Sequence, residues 1–381
     1  MRRCLSCFCR PRAQAQGEYT SEDSALAVSG ILALGHYGKK APLLEDTYDI
    51  LYQIGEGKTG QVFAAKKKRP HYRNRVTTWA EEQQRKRERD EEMAVKIVWQ
   101  EYLSTSNRIE ALQSELAILA QVKHPGILRL RQVFQDDDKI AIVTDKATGG
   151  EILDAMCRPE APRVSESDVA EVIRQLLSVL AYLHLNGITH RDVKVENILC
   201  KSEKVQDGVL LIDFGLAHMG TIGGCEMSGM NGTPHYMAPE MYHKHANYGC
   251  AIDLWSLGVV TYVLLFGQFP FDARFLSQVE DKIIKGEFEY PAELESQVSQ
   301  QAKKFIEYLL VLNPRERPPA AMALQHPWLQ MDASSTASFT NEHMAALAKF
   351  SESKKAFVPP TLNKYMLPEP VPVQDVIIYE G

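Results

Sequence analysis

Two short polar clusters constrain this chain most: His190-Arg191-Asp192 and Asp213-Phe214-Gly215, with Lys194 and Asn197 between them. The second aspartate follows the first by 21 residues. The set supplies one carboxylate to orient a hydroxyl, one to hold a metal, an amide for a second metal and a lysine for phosphate. Phosphoryl transfer from ATP needs those groups, because its catalysis is mostly positioning and charge neutralisation. Either tripeptide alone is weak evidence, since such runs arise by chance. Their conjunction in order is strong.

Upstream, Gly55-Glu56-Gly57-Lys58-Thr59-Gly60-Gln61-Val62 reads G-x-G-x-x-G-x-V. Glycines there let backbone N–H groups approach phosphate oxygens with no Cβ in the way. Lys58-Thr59 invites a Walker A reading, which fails. That motif needs glycine at position 52, which is Tyr52, and a helix next, whereas Gln61 to Ala65 looks like a strand. Met93-Ala94-Val95-Lys96-Ile97-Val98 places one lysine inside an apolar run. A lysine in a buried strand is costly unless paired. The expected partner is Glu115, which borders the helical stripe Ile109, Leu112, Leu116 and Leu119. Taken by itself Glu115 reads as a solvated residue like Glu110; beside the other motifs, pairing is the better reading.

From about residue 48 to 330 these motifs resemble a eukaryotic protein kinase domain. The resemblance implies an α+β, two-lobed fold: a small antiparallel β-sheet lobe with one main helix, then a larger, mainly helical lobe, with ATP and Mg2+ in the cleft between. It implies that Lys96, tied by Glu115, holds the α- and β-phosphates. Asp192 resembles the catalytic base, Lys194 the γ-phosphate contact, and Asn197 and Asp213 the magnesium ligands. Gly55, Gly57 and Gly60 would cover the phosphates, and Val62, Ala94 and Leu199 would sandwich the adenine. Thr144 falls at the gatekeeper position, Asp145 and Ala147 in the 145–147 hinge, and Glu151 just beyond. Leu119, Leu130, His190 and Phe214 should stack between the lobes. Ala238-Pro239-Glu240 resembles A-P-E, with Arg317 as its buried partner, and Asp253 to Gly258 the helix that anchors the catalytic loop.

Lys194 two residues past the base, and Gly232-Thr233-Pro234, resemble serine/threonine kinases. Gly149 to Asp154 and His326-Pro327-Trp328-Leu329 resemble the calcium/calmodulin-dependent group. By the same resemblance, Glu151 and Glu196 should read an arginine three residues before the acceptor in protein substrates. The position that would read a second arginine is Val263. Met230, Pro234 and Met237 should line an apolar pocket for the residue after the acceptor, and Leu216 goes with Ser over Thr. The usual phosphothreonine position aligns with Gly229. The neighbouring Ser228 is the hydroxyl that can reach Arg191, and basal activity is expected not to need its phosphate. The alternative is a catalytically silent kinase-fold scaffold, which the presence of Lys96, Asp192 and Asp213 disfavours.

Composition agrees. With 381 residues and 45% hydrophobic content the chain can bury a sizeable core, without room for a second large domain. The net charge of −6 argues against a nucleic-acid partner. Seven cysteines with no framework spacing suit a reducing compartment. The expected placement is therefore cytoplasmic, with the nucleus open.

Three regions fall outside the common pattern. Residues 1–46 are polar and Ala/Gly-rich and read as disordered. Their start, with Cys4, Cys7 and Cys9 among arginines, admits either a palmitoylated, basic membrane tether or a plain tail. A zinc site is disfavoured for want of a second ligand cluster. Within the domain, 47–330, the small lobe (47–145) carries a basic insertion at 66–92 and the large lobe spans 146–330. The insertion reads as a solvated hairpin with a helical piece from Trp79 onward, and its basic clusters leave nuclear import or anionic docking open. In the segment 331–381, Asn341 to Phe357 carries apolar residues at 344, 347, 350 and 357 beside Lys349, Lys354 and Lys355. It reads as an amphipathic helix that is autoinhibitory or docking; a calmodulin target and plain disorder are the alternatives.

Overall fold

Alternating apolar residues carry the first part of the chain into a sheet. The computed structural model describes residues 43–57, 60–68, 91–103, 105–224, 227–243, 247–331 and 337–355. A helical turn, α1 (Leu44–Thr47), leads into β1 (Tyr48–Gly57), β2 (Gly60–Lys67) and β3 (Glu92–Trp99). Helix α2 (Ser106–Gln121) follows, then β4 (Leu130–Gln135) and β5 (Lys139–Asp145). The five strands form one antiparallel sheet in the order β1-β2-β3-β5-β4. Phe63, Ala65, Val95, Ile97, Ala141 and Val143 point to one face, where they pack with Leu44, Tyr48 and Phe134. Val98, Ile140 and Ile142 meet Leu112 and Leu116 of α2 on the other. Period-2 alternation thus gives the sheet two dry faces.

Two expected boundaries move. Leu44 is buried and α1 is part of the small lobe, so the packed unit begins before residue 47. Lys66 pairs with Glu92 and Ala65 with Met93, so the ends of the expected 66–92 insertion belong to the sheet. Residues 69–90, including the helical piece expected from Trp79, lie outside the described residues, as does the cysteine-bearing start of the chain.

The large lobe contains α3 (Ile152–Cys157), α4 (Glu166–Leu185), α5 (Ala251–Phe266), α6 (Leu276–Lys285), α7 (Ala292–Glu295), α8 (Gln300–Leu309), α9 (Ala320–Ala323) and α10 (Asn341–Lys355). Between α4 and α5 lie two ribbons, β6 (Ile188–Thr189) with β9 (His218–Met219) and β7 (Ile198–Cys200) with β8 (Val209–Leu211). A capping box starts α4: Ser165 Oγ accepts from Asp168 N, and the Asp168 carboxylate accepts from Ser165 N. Helix α5 is buried from Ile252 to Phe266, as a helix apolar on all sides must be. It shares one apolar cluster with residues of the other large-lobe helices and of both ribbons. No helix among the described residues is long and apolar enough to cross a membrane.

The amphipathic helix expected near the end of the chain is present as α10, and it is docked. His343, Leu347, Phe350 and Ser351 face inward, against α3 and α5. Gly267, which caps α5 at φ +63°, makes this possible: a Cβ there would come within 2.5 Å of the Ala346 carbonyl carbon. Phe357 and everything from 356 on lie outside the described residues.

Candidate active site

The cleft between the lobes is built by β1 to β3, α2, the segment after β5, and the loops around the two small ribbons. Lys96 sits mid-strand on β3, and its Nζ lies 3.1 Å from Glu115 Oε1 on α2. Glu115 is only 6% exposed, whereas Glu110 on the outer face is exposed. Burial opposes charge on Lys96, but Glu115 and Asp213 outweigh it and hold the pKa above the usual lysine value. Asp213 lies close by, since a Cβ placed on Gly215 would come within 3.1 Å of Asp213 Oδ1 and 3.7 Å of Glu115 Oε2. Asp213 takes φ +64°, accepts from Gly215 N at 3.2 Å and stays exposed, free to ligate.

Asp192 is the hub of the catalytic loop. Lys194 Nζ donates to its Oδ2, Asn197 Nδ2 donates to the same oxygen at 3.1 Å and to its backbone oxygen at 2.8 Å, and Thr233 Oγ1 donates to Oδ1 at 3.0 Å. Because Asn197 spends its NH2 on Asp192, its amide oxygen is left for a cation. Asn197 and Asp213 therefore fit the pair of protein oxygens that a magnesium ion takes when phosphates supply the rest.

Asp253 of α5, 0% exposed, holds this loop from below. It accepts from His190 N and Arg191 N, each at 2.9 Å, and from His184 Nε2 at 2.8 Å. Burial works against its carboxylate, yet His184 and these N–H donors keep the pKa below the usual aspartate value. Burial likewise opposes charge on His184, but Asp253 and Cys250 raise its pKa to about 9. His190 is buried and packs edge-on against Phe214, ring centres 5.0 Å apart, and burial lowers its pKa. Leu119 packs against both the cluster that holds Phe214 and the one that holds Leu130. The Glu240–Arg317 pair is buried and bidentate, at 2.9 and 3.1 Å.

For the nucleotide, Val62 pairs with Lys96, Ala94 with Thr144, and Leu199 bridges Glu151. All three apolar residues are half-buried, as are Asp145 and Ala147. Gly55, Gly57 and Gly60 lie where β1 turns into β2, with Gly57 opposite Gly60. A Cβ on Gly60 would fall 1.9 Å from Ile97 O, so that position admits only glycine.

The residues expected to bind peptide divide. Glu151 and Glu196 converge, together with Asp154, which sequence reasoning missed. Partial desolvation and the two neighbouring carboxylates push the Glu151 pKa up. Lys354 of α10 lies 2.9 Å from Glu196 Oε1 and 4.5 Å from the centre of the Phe269 ring. Lys355 pairs with Asp154 at 2.8 Å, and Ser351 Oγ donates to the same carboxylate. Met230 is 59% exposed and Pro234 half-buried, but Met237 is 4% exposed in the core. Its chain neighbours Tyr236 and Ala238 are buried too, and Met237 lines a small cavity together with Asp192, Thr233 and Tyr236. Ser228 is exposed, and Arg191 Nη2 reaches the Tyr248 hydroxyl. Thr233, His184, Tyr248 and Lys354 were not expected as site residues. Each acts on a partner far away in sequence, and of the four only His184 stands out as a polar residue inside an apolar run.

The sequence model of the protein kinase domain matches residues 80–329. A calcium/calmodulin-dependent protein kinase type 1 of Macrobrachium nipponense is 32% identical over 320 residues, 83% of this chain and 84% of its own length. The kinase cmkA of Emericella nidulans, also named calcium/calmodulin-dependent, is 36% identical over 257 residues, 68% of this chain and 61% of its length. Human serine/threonine-protein kinase H2 is 38% identical over 221 residues, 58% of this chain and 57% of its length.

Proposed function

We propose, from the premise that this chain belongs to the protein kinase domain family and is a protein serine/threonine kinase, that it phosphorylates seryl or threonyl hydroxyls three residues after an arginine. The observation that carries the reading is the assembly around Asp192. Thr233 Oγ1 already donates to Oδ1 at 3.0 Å, the contact an acceptor hydroxyl would make. Asp192 orients that hydroxyl, and Lys194 beside it steadies the transferring phosphoryl group. Lys96 holds the nucleotide phosphates. Magnesium, held by Asn197 and Asp213, would supply charge neutralisation for the phosphates. The pairing of Lys96 with Glu115 beside Asp213 speaks against a silent scaffold.

The acidic cluster of Glu151, Asp154 and Glu196 supports the arginine preference. Glu196 Oε1 already holds a cation, and Oε2 lies by the Tyr236 hydroxyl with no well-formed hydrogen bond among the described residues. An ammonium satisfies one oxygen, while a guanidinium can satisfy both. In the docked state α10 fills this subsite with its own lysine, which supports an autoinhibitory role. An activator would then bind α10 or its dock, and calmodulin is the candidate that the named relatives suggest. Cytoplasmic placement, with membrane attachment through palmitoylated Cys4, Cys7 and Cys9, belongs to the same proposal. Loss of acyl label in the triple Cys→Ser variant would check it.

The central test is a basic peptide assay with wild type and Asp213→Ala, alongside peptides with and without arginine at −3. Turnover should fall by at least ~10³ in the variant, the scale of preorganised charge stabilisation. Removing the arginine should raise KM. Wild-type turnover in Asp213→Ala would sink the mechanism, and indifference to the arginine would sink the specificity.

A further inference from the structure

The loop that carries Ser228, Gly229 and Thr233 must be held still to present a peptide acceptor to Asp192. Loops of this kind are commonly ordered by a phosphate that pairs with an arginine. Here another group already bridges the two partners. Tyr248 is 3% exposed, and its hydroxyl donates to Gly229 O at 2.7 Å, with Ser228 O at 3.3 Å. From the other side Arg191 Nη2 lies 3.5 Å from the Tyr248 hydroxyl oxygen. Backbone pairing fixes Tyr248 to the loop as well: Tyr248 N donates to Met227 O at 2.9 Å and Met227 N to Tyr248 O at 3.4 Å. Arg191 is itself anchored, its N–H on Asp253 and its backbone at φ +67°. The tyrosine hydroxyl thus ties the substrate-facing loop to the residue that directly precedes Asp192.

The pocket is also incompletely filled. Arg191 Nε and His218 Nε2 are buried without a hydrogen-bond partner among the described residues. The β6–β9 ladder sets His218 opposite Thr189, two residues from Arg191. A hydroxyl therefore occupies part of a site that has donors to spare for an anion, and exposed Ser228 stands next to it.

We infer that Tyr248 is a positioning residue for phosphoryl transfer, whose hydroxyl orders the Ser228–Thr233 loop against Arg191 so that the unmodified enzyme binds peptide productively. The inference rests on the peptide-kinase reading above. It assigns phosphate on Ser228 a supplementary part, filling the spare donors without being required.

Tyr248→Phe keeps the ring and the Met227 ladder and removes only the hydroxyl. The peptide KM should rise about tenfold, the order of one buried hydrogen bond to a charged network. The KM for ATP should stay at the wild-type value, and the melting temperature should fall by no more than about 4 °C. Ser228→Glu should restore the peptide KM of Tyr248→Phe while changing the otherwise wild-type enzyme little, and Ser228→Ala alone should leave activity unchanged. An unaltered peptide KM in Tyr248→Phe, or a loss shared equally by ATP KM and melting temperature, would overturn the inference. Inactivity of Ser228→Ala with rescue by Ser228→Glu would overturn it too, since the phosphate would then be the requirement. A wild-type enzyme that phosphorylates no peptide would instead strike the parent reading, and it is read before any variant is made.

Discussion

His184 shows how one residue far from the chemistry carries a measurable signature. Its imidazole is buried against Asp253, and its pKa of about 9 lies well above the ordinary 6.5. The folded protein therefore keeps a proton that the unfolded chain releases near pH 6.5. Its contribution to stability is complete below that pH and is lost as the pH rises through about 9. Denaturant unfolding of wild type should weaken between these limits, by at most ~3 kcal/mol from this group. His184→Gln should flatten that slope, and an unchanged slope would remove His184 as its source. Residues of this kind are the least legible in a sequence. Lys96 announced its partner because a lysine inside an apolar strand must have one. His184 lies 69 residues from Asp253, and Thr233 41 from Asp192, with no periodicity to link them.

At the scale of single elements, the helix α10 is the part whose existence was readable and whose position was not. Apolar residues at 344, 347 and 350 mark a helix, but the buried face also includes His343 and Ser351, which the apolar pattern omits. His343 Nε2 meets Leu265 O, and Phe339 stacks on the His343 ring, so polar atoms complete the dock. A lone helix of 15 residues is marginal in water, so α10 depends on this contact. Truncation after Leu329 should raise basal peptide phosphorylation without altering which peptide is preferred. Gly267→Ala should act in the same direction, because a Cβ at φ +63° both strains the α5 cap and meets the backbone of α10. Protease cleavage within 341–355 should speed up alongside activity. Activity that stays flat while cleavage rises would separate docking from inhibition.

On the scale of the whole molecule, the sheet continues across a long interruption. The match to the kinase sequence model begins at residue 80, yet β1 and β2 are in place from Tyr48 to Lys67. A hairpin register depends on which residues face each other, not on the length of chain between them. Loop length itself costs little, since closure entropy grows only logarithmically. Lys66 pairs with Glu92, and in a chain where Asn-Gly replaces 69–89 the same register would carry through to a two-residue turn. That deletion should keep the melting temperature within about 4 °C, the shift expected for ~1 kcal/mol or less. A larger drop would mean that the insertion packs on the domain. The two-lobed architecture and the cleft residues were legible because their motifs are local. The strand ends at 67 and 92 were not, because a basic run reads as a loop until its partner strand is seen.

On the proposed reading of Glu196 as the site for a substrate arginine, its ion pair with Lys354 would make α10 a tethered competitor of the enzyme's own substrate. A competitor on the same chain acts at a fixed effective concentration, so diluting the enzyme does not relieve it. It taxes affinity by the fraction of molecules left open: docking in about nine of ten would raise the apparent peptide KM about tenfold and leave kcat alone. Abundant or strongly basic substrates would displace the helix unaided, while scarce or weakly matched ones would wait for an activator. On that reading the docked helix would set a threshold on which proteins the kinase notices at all.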